Sequence, residues 1–336
     1  MIIVAYCIIV FKNSLSPAAC YRKNTVYIRN PYIFWKPACI MRETKHRKRG
    51  IFMTCPKVGH INFLNVLPLT WSYAHGAADG LQIARGVPAE LNSDIINHRL
   101  DVSNVSSIIY ARHSEELVVL PDVCVSTDGD VESILLVSRK PIESLKDDKI
   151  ILTAKSATSH CLLKIILRLA YGAIPNYYVR HITPEDPIPE DATASLLIGD
   201  DALWLYHHPR EGFYYYDLGL EWKKMTGKKM VYALWVASRR FAESQPEELK
   251  LVYNRIHGAF QTFRSEASRK DAAIREILPQ KPAFTYEQLE EYLGPIIRWD
   301  LTDEYLDGLR TFYKLAHEMN LIDHVPEIEF AAVRRS

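Results

Sequence analysis

Short apolar segments alternate with amphipathic segments from Lys57 to Phe241, and the remainder of the chain has a helical pattern. Apolar runs of four to eight residues bounded by turn residues are typical of buried strands, whereas longer segments with apolar positions every three or four residues are typical of helices. Strands that alternate with helices predict an α/β protein whose sheets are mixed but mostly parallel. C-terminal helices should pack against these sheets.

Two strongly apolar segments bracket an internal unit of about ninety residues. These segments are Ser133–Ser138 and Val231–Val236, and both are long enough to be buried strands. The simplest topology has two lobes joined by two crossing strands, with residues 53–138 and 231–336 in lobe one and residues 139–230 in lobe two. This topology predicts a central cleft, with hinge bending at the crossings.

The composition excludes several classes of partner. Of the 336 residues, 48% are apolar and 24% are charged, which is ordinary for a globular protein. The net charge of +1 provides no basic surface for a nucleic acid. The six cysteines show no C-x-x-C spacing, so they predict neither a zinc site nor a redox pair, and their sparse distribution fits a reducing cytosol. We therefore expect a cytoplasmic protein without a metal, and with a small-molecule ligand.

The first 52 residues differ from the rest of the chain. Met1–Phe11 is an apolar run that is too short to span a bilayer, and no positive charge precedes it, as one normally does in a signal peptide. The basic cluster Lys45–Arg49 follows, shortly before Met53. We interpret residues 1–52 as an extension outside the fold, produced by a start assigned too early, with Met53 as the initiator. A disordered extension and an export signal are the alternatives, and no membrane partner is expected.

The segment Val58–Leu69 combines an apolar run with two asparagines set three residues apart and a proline. This pattern predicts a short buried strand that opens into a polar turn. In α/β proteins, ligands bind at such strand ends. Asn65 lies at this strand end, and Ser133 begins one of the crossing strands. Taken alone, Asn65 is more typical of a turn, and Ser133 of a strand edge, than of a binding site.

Three predicted helix starts carry polar side chains. A helix N-terminus offers unpaired N–H groups and the positive end of a dipole, and serine or threonine hydroxyls add further donors. Such a start can hold a carboxylate without a full positive charge. Each start taken singly is also an ordinary N-cap, but two starts that face one cleft from opposite lobes favour binding. The candidate anion-binding residues are Ser106, Ser107, Thr158, Ser159, Gly199 and Asp200.

Motifs along most of the chain resemble the pattern of the chorismate dehydratases, the enzymes that open the futalosine route to menaquinone. The resemblance covers residues 57–322, and the order of the motifs along the chain is more specific than any single motif. The motifs are Gly59–Leu69, Gly86–Asn92, Leu100–Ser107, Ser126–Gly129, Ser156–Ser159, Leu196–Leu203, Asp217–Trp222 and Tyr232–Val236. One departure is Asn104, at a position where family members usually have proline.

The resemblance implies a type II periplasmic-binding-protein-like fold in a cytoplasmic hydro-lyase. Its reaction would convert chorismate to 3-[(1-carboxyvinyl)oxy]benzoate and water. Because the ring becomes aromatic, no redox cofactor or metal is needed, and the substrate's own enolpyruvyl carboxylate would take the proton. By similarity, Asn65 and Ser133 fall on the family's active-site Asn and Ser positions. Asn65 would orient the departing hydroxyl or the carboxylate, and Ser133 would form a hydrogen bond with the substrate.

Two alternatives remain open at this point. A non-catalytic small-anion solute-binding protein would have the same lobes, but it would need an export signal. The related 1,4-dihydroxy-6-naphthoate synthase shares the implied fold, but its Ser-Pro-Cys-Pro-Asn type opening is replaced here by His60–Asn65.

Overall fold

The structure, a computed structural model, describes residues 55–333, and the expectations for residues 1–52 lie outside the described residues. This part of the chain forms two five-stranded sheets. The first sheet consists of β1 (Lys57–Ile61), β2 (Gln82–Gly86), β3 (Val102–Ser106), β4 (Leu117–Thr127) and β10 (Met230–Ser238). The second sheet consists of β5 (Ile134–Ser138), β6 (Lys149–Thr153), β7 (Asn176–Arg180), β8 (Ala194–Ile198) and β9 (Tyr214–Asp217).

Helices connect these strands and cover the sheets. Before β10 they are α1 (Leu67–Ser72), α2 (Pro88–Ile96), α3 (Ser107–Arg112), α4 (Ala157–Tyr171), α5 (Asp200–His207) and α6 (Leu218–Thr226). The C-terminal helices are α7 (Arg239–Ser244), α8 (Pro246–Ser265), α9 (Ala267–Ile277), α10 (Tyr286–Glu291) and α11 (Asp303–Glu318). Of these, α8 packs on β4 and α11 packs on β10. In the described residues, no helix is both long enough and apolar enough to cross a membrane.

Strand direction follows one rule in both sheets. The strand orders are β2-β1-β3-β10-β4 and β7-β6-β8-β5-β9. Strand β10 is antiparallel to its neighbours β3 and β4, and β5 is antiparallel to β8 and β9, while the other pairings are parallel. Each antiparallel strand is the first one that the chain forms after it changes sheets. The prediction of mixed, mostly parallel sheets in an α/β fold is confirmed.

One boundary prediction was wrong. The predicted lobe one ran to residue 138, but β5 pairs with β8 and β9 and so lies in the second sheet. Strand β4 is continuous from Leu117 to Thr127 although it contains Pro121. Strand β4 is at the edge of its sheet, and its register with β10 shifts between Val119 and Cys124. A proline that cannot donate to the ladder is tolerated at such an irregular edge.

The two segments that cross between the sheets are joined through Asp217. Its carboxylate accepts backbone N–H groups of Val131 and Glu132 in the first crossing, and those of Gly219 and Leu220 at the start of α6 in the second. The crossings approach so closely that a Cβ atom on Gly219 would lie 2.3 Å from the carbonyl oxygen of Gly129. Asp217 therefore holds together the backbone of the region about which the two lobes could bend. The first sheet with its helices forms the first lobe, and the second sheet with its helices forms the second lobe.

Candidate functional site

A cavity lies at the carboxyl ends of β1, β3 and β8, where the two lobes face each other. The space between its walls is about 600 Å³, a volume that includes the open mouth. None of the described residues that line it carries a formal charge. Its polar wall consists of Asn65, Asn104, Ser106 and Tyr232 from the first lobe and Ser133, Ser156, Ser159 and Gly199 from the second. Apolar side chains such as Ile61, Val125 and Ile198 complete the lining.

The structure brings five of the sequence-predicted site residues to this wall, namely Asn65, Ser106, Ser133, Ser159 and Gly199. Gly199 has φ +67°, and a Cβ atom there would meet the ring of Phe63 at 3.3 Å, so glycine suits both the conformation and the contact. The remaining three predicted residues, Ser107, Thr158 and Asp200, do not line the cavity. All three instead form contacts between the lobes.

The hydroxyls of Ser107 and Thr158 meet behind the cavity wall. Their oxygens are 3.2 Å apart, and Thr158 Oγ1 also accepts the backbone N–H of Ile108 at 3.3 Å. Ser107 Oγ further donates to the carbonyl oxygen of Val231. Both side chains are fully buried with these partners satisfied. The start of α3 therefore docks on the start of α4, and these two hydroxyls are engaged within the protein.

Asp200 bridges the lobes at the start of α5. Its Oδ1 accepts the backbone N–H of Leu64 at 3.0 Å, and its Oδ2 pairs with Lys281 Nζ at 2.6 Å. The neighbouring Asp201 pairs with Lys155, which lies within the same lobe. Asp200 thus connects the two lobes, whereas Asp201 does not.

We expect Asp200→Ala to raise the KM for substrate about fivefold while changing kcat less. Loss of the bridge removes a charge-assisted hydrogen bond worth about 1 kcal/mol at a partly exposed site, and this weakens the contact between the lobes that enclose the ligand. Steady-state kinetics measure the effect, with Asp201→Ala as the matched control because it removes an ion pair inside one lobe. Equal KM values for Asp200→Ala and Asp201→Ala would show that the bridge does not contribute to closure.

Ser133 is held in place by a residue that the sequence analysis did not single out. Tyr292 donates its hydroxyl hydrogen to Ser133 Oγ at 2.8 Å, and Ser133 Oγ donates to the carbonyl oxygen of Val131 at 3.2 Å. Burial raises the pKa of the Tyr292 hydroxyl, so it remains a neutral donor. Tyr292 is more than 150 residues away in the chain, and only the tertiary structure connects the two.

Tyr232 is a second cavity residue without a predicted role, although it begins the motif Tyr232–Val236. Its hydroxyl is 3.2 Å from Thr127 Oγ1, and burial together with the charge of Asp217 raises its pKa well above the usual value. His60, by contrast, is a buried histidine packed within β1. It contacts Thr70 Oγ1 at 2.9 Å, and burial followed by the charge of Arg85 lowers its pKa to about 3. A neutral His60 outside the cavity wall is not placed to act as a base.

No group of three His, Cys, Asp or Glu side chains that could hold a metal ion occurs among residues 55–333. The wall itself offers hydroxyls, amides and backbone dipoles. Such groups bind and orient an anionic ligand, and they are worth more in a cavity from which water is excluded.

An acidic side chain beside Ser133 is buried with one carboxylate oxygen unpaired. Glu132 is 4% exposed, has φ +57°, and its Oε2 has no hydrogen-bond partner among the described residues. Burial, followed by the charges of Glu291, Asp217 and Asp130, raises the pKa of Glu132 to about 7. The ionised form of Glu132 is therefore unfavourable in the folded protein.

This shift predicts a pH dependence of stability. Because the folded pKa of about 7 exceeds the ordinary glutamate pKa of 4.5, the folded state binds the proton more tightly, and stability falls as pH rises through this window. We expect Glu132→Gln to raise the free energy of unfolding by about 2 kcal/mol at pH 8, with little gain near pH 4.5. Urea denaturation at both pH values measures this, with Glu211→Gln as control because Glu211 is exposed and is not among the charges that act on Glu132. Parallel pH profiles for wild type and Glu132→Gln would contradict the assignment.

Comparisons with known proteins agree with this architecture. A family model described as Menaquinone biosynthesis matches residues 56–318. The chain is 36% identical over 149 residues to a chorismate dehydratase of Thermus thermophilus, a match that covers 44% of this chain and 52% of that protein. It is 23% identical over 268 residues to a chorismate dehydratase of Campylobacter jejuni, covering 78% of this chain and 98% of that protein.

Solved structures show the same fold at low sequence identity. Protein AF1704 from Archaeoglobus fulgidus aligns with a TM-score of 0.64 and 17% identity, covering 79% of this chain and 98% of that one. The periplasmic aliphatic sulphonate binding protein SsuA from Escherichia coli aligns with a TM-score of 0.58 and 15% identity, covering 84% and 94%. The expected periplasmic-binding-protein-like fold is thereby confirmed. With most of its described residues matched by the family model, the chain belongs to the menaquinone biosynthesis family.

Proposed function

We propose that the protein is a chorismate dehydratase, which eliminates water from chorismate to give 3-[(1-carboxyvinyl)oxy]benzoate. The observation that carries the proposal is the cavity whose uncharged donors come from both lobes, with Asn65 and Ser133 in its wall. Family membership and the two chorismate dehydratase relatives support the choice of substrate.

The cavity wall suits a substrate with two carboxylates and one hydroxyl. Ser156 and Ser159 lie at the start of α4, a helix of 15 residues, where N–H groups and the helix dipole favour a carboxylate. Ser106 lies across the cavity at the end of β3 and provides a further hydroxyl. Since neither site adds a formal charge, binding depends on excluding water from around the ligand.

The reaction needs positioning more than a strong protein base. A ring hydrogen leaves as a proton, the neighbouring hydroxyl leaves to form water, and the ring gains its third double bond. No carboxylate, imidazole or amine lines the cavity within the described residues, so we assign the proton to the substrate's own enolpyruvyl carboxylate. Asn65 would orient the departing hydroxyl or the carboxylate. Ser133, held by Tyr292, would form a hydrogen bond with the substrate. Fixing this conformer in a dry site is the protein's main contribution.

Incubation of the full chain with chorismate, without added metal or nucleotide, is expected to yield the aromatic enolpyruvyl ether. Liquid chromatography with mass detection would follow the loss of one water molecule, and the absorbance of the new aromatic ring would give the rate. Heat-denatured protein is the control, because chorismate also decays by itself.

Two other results would reject the proposal. Tight binding of chorismate without turnover would instead indicate a solute-binding protein. Conversion of a later intermediate of the same pathway, with no effect on chorismate, would indicate the related naphthoate synthase activity.

A further inference from the structure

The structure places Asn104 in the cavity wall. It lies in β3, is 3% exposed, and its Nδ2 has no hydrogen-bond partner among the described residues. A buried amide nitrogen without a partner costs about 1–3 kcal/mol, so such groups usually have a function or a missing partner. The proposed roles of Asn65 and Ser133 do not involve it.

A second unpartnered donor lies directly opposite. Trp235 on β10 is the register partner of Asn104, is 1% exposed, and its indole Nε1 also has no partner within residues 55–333. Directly opposed residues of an antiparallel pair have Cβ atoms about 4.5–5.5 Å apart and project from the same face. The next pair on this face, Ser106 with Ala233, lines the cavity. Asn104 and Trp235 thus lie on the same face of the sheet, two residues further along their strands from the pair Ser106 and Ala233.

One rotation of the Asn104 amide would give both unpartnered donors an acceptor. An asparagine amide carries an acceptor oxygen and a two-donor nitrogen of similar size, so turning it by about 180° exchanges them without changing its shape. The oxygen would then face the Trp235 indole and accept its N–H. The nitrogen would face the cavity, where it needs an acceptor.

We propose that Asn104 is a ligand-binding residue whose amide oxygen accepts the Trp235 indole N–H while its Nδ2 donates to a carboxylate or hydroxyl oxygen of the bound ligand. The inference rests on the proposed function for the identity of that ligand. Asn104 adds an amide donor to a wall otherwise rich in hydroxyls. It thereby selects an acceptor-rich ligand at the floor of the cavity.

The kinetic test compares Asn104→Leu with Ser103→Ala, using chorismate as the probe. Ser103 is equally buried on the same strand, but its side chain lies against Gly59 and does not line the cavity. We expect Asn104→Leu to raise KM about 10- to 100-fold, as for loss of one hydrogen bond to a charged group, with a smaller change in kcat. Asn104→Ser, which is smaller and keeps a donor, should show a smaller rise in KM. It also provides a test if the leucine variant does not fold.

A second measurement needs no ligand. The indole 1H–15N resonance of Trp235, assigned from its loss in Trp235→Phe, should shift upfield in Asn104→Leu because the acceptor is gone. In Ser103→Ala the same resonance should hardly move. An unchanged resonance in Asn104→Leu would overturn the proposed amide orientation.

The outcomes separate the two proposals. If wild type converts chorismate and Asn104→Leu has the same KM, the ligand contact is wrong and the proposed function stands. If wild type neither binds nor converts chorismate, the proposed function and the ligand contact both fail, and the indole resonance alone decides the amide–indole pair.

Discussion

Asn65→Leu is expected to lower the turnover of chorismate at least about tenfold, the order expected for the loss of one positioning hydrogen bond in the transition state. Leucine has nearly the shape of asparagine, so the cavity stays filled while the amide is removed. The backbone at this position is held independently, because the carbonyl oxygen of Asn65 accepts the indole N–H of Trp299 at 2.8 Å. The effect should therefore appear in kcat and not in folding.

Steady-state kinetics and the thermal midpoint of unfolding, measured together, test this expectation. Asn97→Leu is the control, since Asn97 is exposed and does not line the cavity. A tenfold loss in Asn65→Leu with an unchanged midpoint supports a role in the reaction. An unchanged rate would remove Asn65 from the site.

Asp217→Ala is expected to destabilise the protein by about 3 kcal/mol at pH 7. Removing the carboxylate leaves the buried N–H groups of Val131 and Glu132 without an acceptor and removes the N-cap of α6. Unsatisfied buried donors cost about 1–3 kcal/mol each and a lost N-cap about 1 kcal/mol, and part of this is regained by relief of the carboxylate's own burial. That burial raises the pKa of Asp217 to about 6.

Urea denaturation provides the measurement, and Asp217→Asn is the matched variant. The amide keeps one acceptor oxygen, so the stability of Asp217→Asn should lie between those of wild type and Asp217→Ala. If alanine and asparagine were both as stable as wild type, the crossing segments would not depend on Asp217.

Much of the local structure could be predicted because local periodicity specifies it. The apolar runs Lys149–Thr153 and Ala194–Ile198 form strands, and Pro246–Ser265 forms a helix. Thr285 and Gln288, which have the spacing of a capping box, form one with both of its hydrogen bonds. Strand runs, helix stripes and caps depend on neighbours within a few residues, and such neighbours are visible in the sequence.

The sequence by itself determined the α/β class, the alternation of strands and helices, and the polar ends of the strands near Asn65, Ser106 and Gly199. Only the tertiary structure decided that β5 joins the second sheet, and that Ser107 and Thr158 bind each other. It also showed Tyr292 holding Ser133 and Asn104 facing the cavity opposite Trp235. The physical reason is that an apolar segment or a polar strand end specifies burial and direction, whereas the partner it meets depends on how distant segments pack.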